Sequence, residues 1–197
     1  MLANKDEISA ASELVRRYMQ PTAQHCWPLL SARCSAEIWV KHENHAPTGA
    51  FKVRGGLIYM DSLKRRVPNT SGVITATRGN HGQSVAFAAR TSCVASVVVV
   101  PHGNSYEKNA SMKAFGAELV EHGKDFNEAF EFAKTQAIER DLTFFPSFDS
   151  NLVAGVATYA MELLTAAPDL ETIYVPIGLG SGICGVMSAR DALGSKA

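Results

Sequence analysis

Two stretches decide the fold. The first is Gly72-Val73-Ile74-Thr75-Ala76-Thr77-Arg78-Gly79-Asn80-His81-Gly82-Gln83, and the second is Ala95-Ser96-Val97-Val98-Val99-Val100-Pro101. Each opens with a short β-branched run of strand length. In the first, a glycine-containing turn separates that run from a helical pattern over Asn80 to Arg90. In the second, Pro101 stops the run, because proline cannot donate to a ladder. Val97 to Val100 is apolar at every position, as a strand covered on both faces must be. A strand, a helix and a second fully apolar strand make a parallel β–α–β unit.

Working outward, the alternation runs along almost the whole chain. The patterns predict helices over Asp6 to Met19, Gly49 to Asp61, Glu107 to Phe115, Lys124 to Arg140, Leu152 to Thr165 and from Ser181 onward. They predict further strands at Glu37 to Lys41, Ala117 to Val120, Thr143 to Phe145 and Thr172 to Pro176. This is an α/β fold with mainly parallel sheets. Ligands in such folds sit in the loops after the carboxyl ends of strands. The chemistry is therefore sought after Lys41, Ala76 and Pro176.

Composition excludes several classes. Lys plus Arg and Asp plus Glu both total 19, so the formal net charge is zero and there is no basic excess for nucleic acid. No apolar run approaches membrane-spanning length, and Met1 to Glu7 lacks the apolar core of a signal peptide. Cys26, Cys34, Cys93 and Cys184 form no C-x-x-C pair, which predicts reduced, buried thiols in a cytoplasmic protein. His42-Glu43-Asn44-His45 lacks the spacing that puts two ligands on one helical face, so no metal is expected.

Three loops carry the chemistry. Lys52, in Thr48-Gly49-Ala50-Phe51-Lys52-Val53-Arg54-Gly55-Gly56, lies near a helix start, where the dipole disfavours positive charge and lowers the proton affinity of an amine. That suits a Schiff-base nucleophile, although most lysines at such places are solvated surface residues. In Thr77-Arg78-Gly79-Asn80-His81, the glycines Gly79 and Gly82 allow close approach of a ligand to the backbone. Asn80 can donate and accept hydrogen bonds, or simply cap the helix. In Val175-Pro176-Ile177-Gly178-Leu179-Gly180-Ser181-Gly182-Ile183 a strand enters a glycine-rich turn and then a helix, which makes a phosphate cradle. It lacks the lysine of a P-loop.

Taken together, and in this order and spacing, the three loops resemble those of fold-type II pyridoxal-phosphate enzymes, the tryptophan synthase β-like fold. Gly79-Asn80-His81-Gly82-Gln83 favours the threonine/serine dehydratase and serine racemase branch. The resemblance covers essentially the whole chain. It implies that Lys52 binds pyridoxal 5'-phosphate covalently and moves the substrate α-proton. It implies that Phe51 packs beside the cofactor, that Asn80 bonds the ring 3-oxygen, and that Gly178, Leu179, Gly180, Ser181 and Gly182 hold the phosphate. Thr77, Arg78, Gly79 and His81 would receive the substrate carboxylate.

The implied reaction is β-elimination from a small β-hydroxy amino acid such as L-threonine or L-serine. The alternatives are a threo-3-hydroxyaspartate dehydratase, a racemase, and a non-catalytic remnant. Racemases of this type carry a serine where this chain has Arg78, and arginine is a poor base. The family pattern also implies two domains, a larger one over 1–70 and 150–197 and a smaller one inserted at 71–149, in a homo-oligomer. Family members continue beyond Ala197, so the larger domain is expected to be incomplete. An unpaired strand at Thr172 to Pro176 would then favour self-association.

Overall fold

The computed structural model describes residues 2–197. Its centre is a four-stranded parallel sheet in the order β5-β4-β3-β6, built from β3 (Val73–Ala76), β4 (Ser96–Val100), β5 (Glu118–Glu121) and β6 (Thr143–Phe144). β1 (Gln24–Cys26) and β2 (Trp39–Lys41) form a separate antiparallel pair, with Gln24 opposite Lys41. Among the described residues there are eight α-helices: α1 (Lys5–Val15), α2 (Pro28–Cys34), α3 (Lys52–Arg66), α4 (Asn80–Thr91), α5 (Tyr106–Ala114), α6 (Phe126–Glu139), α7 (Ser150–Ala166) and α8 (Ser181–Leu193).

β3 and β4 are buried at every residue because helices cover both faces. Val98 and Val100 pack with Ala86 and Met112 on the α4 and α5 side. Val97 and Val99 pack with Ala129 and Ala133 of α6 on the other. The two-residue period of a strand sends alternate valines into the two layers. The edges are short or charged: β6 has two residues, and β5 exposes Glu118 and Glu121, which discourages further pairing.

Beside the sheet, α3, α7 and α8 pack tightly. A Cβ on Gly155 would lie 2.4 Å from the Arg54 carbonyl oxygen, and one on Gly55 2.8 Å from that of Leu152. Glycine at these two positions lets α3 and α7 touch backbone to backbone.

The structure corrects several sequence expectations. The predicted strand Thr172–Pro176 does not form: no loop, turn or cap backbone hydrogen bond involves residues 168–179, and Tyr174 is 94% exposed. A strand needs a ladder partner, and none of the described strands lies against it. Among the described residues, therefore, the only parallel sheet is the one at β3–β6. β1 and α2 escape the sequence reading; α2 buries none of its residues, so it carries no amphipathic signal. The thiols are free but not buried, since Cys34 and Cys93 are exposed and Cys26 and Cys184 only partly covered. α3 begins at Lys52 rather than Gly49, because Gly49 adopts φ 67°, outside the helical region.

Candidate active site

Lys52 is the first residue of α3, so the positive end of that helix dipole falls on it. Ser181 is the first residue of α8 and is 1% exposed. The Lys52 Nζ donates to the Ser181 Oγ at 2.7 Å, joining the two helix N-termini. α4 joins them from its second turn: the Ser84 hydroxyl donates to the Lys52 carbonyl at 2.7 Å. Burial holds the Lys52 amine below the ordinary lysine value, and it takes part in none of the ion pairs among the described residues. Its nitrogen also lies 5.7 Å from the Phe51 ring centroid.

The turn that precedes α8 is open. Gly180 has φ 101°, a left-handed conformation that favours glycine, and the space about Gly178 is free within 4 Å. The N–H groups of Gly178 to Gly182 donate to no carbonyl in loop, turn or cap contacts. Gly182 is different: a Cβ there would lie 3.2 Å from the Phe51 ring, so Phe51 closes against the turn.

In the loop before α4, Thr77 is buried, and its hydroxyl accepts from the backbone of Gly79 and Gly82 at 3.0 and 3.3 Å. Gly79, not Asn80, is the N-cap, so Asn80 is not needed as the cap and stands exposed in the first turn. Arg78 is exposed. His81 is buried, its ring 5.7 Å from that of Phe145, and its Nε2 has no hydrogen-bond partner. Burial, reinforced by the charge of Lys52, pushes its imidazole down to about 3 despite a hydrogen bond with the Phe145 backbone. The ring is therefore neutral near pH 7 and is not an imidazolium acid there.

Sequence reasoning missed two features. Lys108 of α5 lies over Gly79, where a Cβ would come within 2.7 Å of its Nζ. Arg54, fully buried, is held by Glu43 at 2.8 Å and Glu162 at 2.8 Å, and Lys41 meets Glu162 at 2.7 Å. Burial alone would raise the Glu162 carboxyl, but hydrogen bonds and charge from Arg54 and Lys41 hold it below the usual carboxylate value. This network ties β2, the turn at Glu43, α3 and α7 together two residues along α3 from Lys52. Its only sequence signal is an arginine within the otherwise apolar stretch of α3 from Val53 to Met60.

The arrangement suits an anion and an amine nucleophile. Two helix N-termini meet, free N–H groups line a turn, and the central lysine has no carboxylate partner. A lined groove of about 640 Å³ lies elsewhere, between α1, α3 and α7, and includes none of these residues. Its walls carry Glu7, Glu13 and Asp61 beside Arg17 and Arg65, so it lacks the chemistry gathered at Lys52.

Residues 15–197 match the family model of pyridoxal-phosphate dependent enzymes. The chain belongs to this family. Among curated members, the L-threonine ammonia-lyase of Geobacter sulfurreducens is 38% identical over 183 residues, which is 92% of this chain and 45% of that protein. Among solved members, the processed form of threonine deaminase isoform 2 from Solanum lycopersicum is 27% identical with TM-score 0.83, over 96% of this chain and 57% of that one. Maize serine racemase is 26% identical with TM-score 0.91, over 99% and 60%. The chain thus spans less than half the length of that ammonia-lyase, and its α/β fold is that of fold-type II pyridoxal-phosphate enzymes. No helix among the described residues is long and apolar enough to cross a membrane.

Proposed function

We propose that this chain carries the cofactor and acid–base half of a pyridoxal-phosphate-dependent ammonia-lyase. Its substrate would be a small β-hydroxy amino acid, L-threonine or L-serine. The observation that carries the reading is the 2.7 Å contact between Lys52 and Ser181, which brings the lysine to the glycine turn. The match to L-threonine ammonia-lyases supports the choice of reaction.

Bound pyridoxal phosphate supplies the electron sink that stabilises negative charge at the substrate α-carbon. The residues of the chain do the rest. The N–H groups of Gly178, Leu179, Gly180, Ser181 and Gly182 hold the phosphate, and Phe51 closes one side. Asn80, free of capping duty, binds the ring oxygen. Lys52 would hold the cofactor covalently and, once freed as an amine, would accept the α-proton. The loop from Thr77 to His81 receives the substrate carboxylate, with Arg78 as its cation. The net reaction removes the β-hydroxyl and the amino group, giving 2-oxobutyrate and ammonia from L-threonine.

The two-domain division, 1–70 with 150–197 and 71–149, belongs to the same reading, as do a cytoplasmic location and a homo-oligomeric state. The β3–β6 sheet, formed wholly by residues inside 71–149, supports the division. The racemase alternative rests on the likeness to maize serine racemase, but no serine stands at Arg78 to act on the opposite face.

The test is borohydride trapping with added pyridoxal phosphate, followed by peptide mapping. An adduct on Lys52, lost in Lys52→Ala, is expected. An adduct on a different lysine sinks the assignment. Release of 2-oxobutyrate from L-threonine, against release of D-isomer from L-serine, separates lyase from racemase.

A further inference from the structure

Lys108 of α5 reaches across to the loop that would take the substrate. A Cβ at Gly79 would come within 2.7 Å of its Nζ and 2.8 Å of its Cδ, so its stem crosses the backbone there. Glycine at 79 leaves the room for this passage. We propose that Lys108 is a specificity-determining residue that reads a second carboxylate, so that the site binds a dicarboxylic amino acid more tightly than a monocarboxylic one. This rests on the reading of Thr77 to His81 as the loop that receives the substrate carboxylate.

The loop holds more positive charge than one carboxylate answers. Arg78 and Lys108 are both exposed, and among the described residues neither meets a carboxylate at ion-pair distance. α4 begins at Asn80, so the positive end of its dipole falls on the same loop. The N–H groups of Asn80 and His81 donate to no carbonyl in loop, turn or cap contacts. In the same turn, the buried Nε2 of His81 has no partner.

Two cations at a helix start repel each other and the dipole, so the empty loop carries unfavourable charge. One carboxylate, held by Arg78 and the free N–H groups, leaves the Lys108 ammonium unanswered. Lys108 comes from a different helix than the loop residues, so it can meet a group that Arg78 does not hold. The second acid would stand where threonine carries its methyl group.

The test compares acids of equal carbon count that differ by one carboxylate. In the cofactor-free chain at low ionic strength, titration calorimetry should find L-malate bound more tightly than L-2-hydroxybutyrate. The expected ratio is about 5-fold, the upper value of an exposed ion pair. Lys108→Met should abolish that preference and leave L-2-hydroxybutyrate unchanged, and Lys108→Arg should keep it. Arg78→Met should weaken both acids. In the chain loaded with pyridoxal phosphate, L-aspartate should suppress the borohydride-trapped Lys52 adduct at about 5-fold lower concentration than L-2-aminobutyrate.

Absent binding of L-malate, or equal binding of the two acids, overturns the proposal. So does a Lys108→Met variant that loses affinity for both alike, which would make Lys108 a source of general attraction only. If no adduct forms at Lys52, the cofactor reading fails by itself, and the calorimetry on the cofactor-free chain still decides Lys108.

Discussion

Val97–Val100 and Thr172–Val175 look alike as sequence: each is a β-branched run that precedes a turn and a helix. Only the first becomes a strand. Val98 and Val99 are wholly buried, and β4 is paired on both sides, with Val98 opposite Thr75 and Leu119. The second run keeps a strand's alternation, with Ile173 and Val175 partly buried against the α7 and α8 cluster and Tyr174 turned out. It lacks neighbours. Local sequence supplies the extended preference and the apolar face, but the hydrogen-bond partners that make a strand come from elsewhere in the chain or not at all.

The largest expected effect breaks this likeness outright. Val98→Asp buries an unpaired carboxylate between two helical layers and should cost at least about 4 kcal/mol, enough to unfold a marginal domain. Tyr174→Asp should stay within about 0.5 kcal/mol. Urea unfolding followed by circular dichroism measures both. Equal losses would mean that Tyr174 is covered in solution, and the two runs would then be alike after all.

A second contrast lies between buried and exposed ion pairs. Arg54→Met leaves Glu43 and Glu162 without their shared cation in the interior, at a cost of about 3–5 kcal/mol. Arg140→Met removes an exposed pair with Glu118 and should cost under about 1 kcal/mol. The buried pair also sets an acid limb. The folded carboxyl of Glu162 lies below its unfolded value of 4.5. Its contribution is thus complete above that value and is lost as pH falls through the lowered folded one. Glu162→Gln should flatten the stability profile below about pH 4.5 relative to the parent. An unchanged acid limb would place the coupling elsewhere.

The same division explains what could be read from sequence. The strands of the central sheet were legible because each is short, has an apolar pair or run and is bounded by turn residues, and the three loops because glycine, lysine and asparagine fall at strand-to-helix junctions. Arg54 was not legible as a buried hub, because its partner Glu162 lies 108 residues away and only packing brings them together. Nor was the role of Gly55: it sits inside the motif around Lys52, yet its contact is the backbone of α7, not a ligand. β1 and β2 were hidden or misjudged in length because a three-residue antiparallel pair carries little periodicity.

Glycines sharpen the contrast at smaller scale. Gly155→Ala drives a methyl group to 2.4 Å from the Arg54 carbonyl oxygen, so α3 and α7 must part, at about 1–3 kcal/mol. Gly178→Ala meets nothing within 4 Å and should change stability by less than about 0.5 kcal/mol. Thermal unfolding of both variants in the cofactor-free chain tests the pair. A large loss at Gly178 would show that the turn is packed rather than open.

The smallest effect belongs to Lys52, which lies where the two regions meet. Lys52→Met removes the bond to Ser181, a loss of about 1 kcal/mol, and also removes the cost of burying an ammonium, so the net change near pH 7 should be small. Its pH dependence is the informative part. The folded amine has its pKa below the unfolded 10.5, so the unfolded chain binds more protons between the two values. The parent therefore gains stability relative to Lys52→Met as pH rises through that window, and the gain levels off above 10.5. Denaturant midpoints of the two proteins, taken at steps from pH 7 upward, should diverge in this direction. A constant difference would mean that Lys52 is as easily charged in the folded chain as in water. It would lie on the solvated side of the boundary with the residues around Tyr174, and its place where two helices begin would not make it a nucleophile.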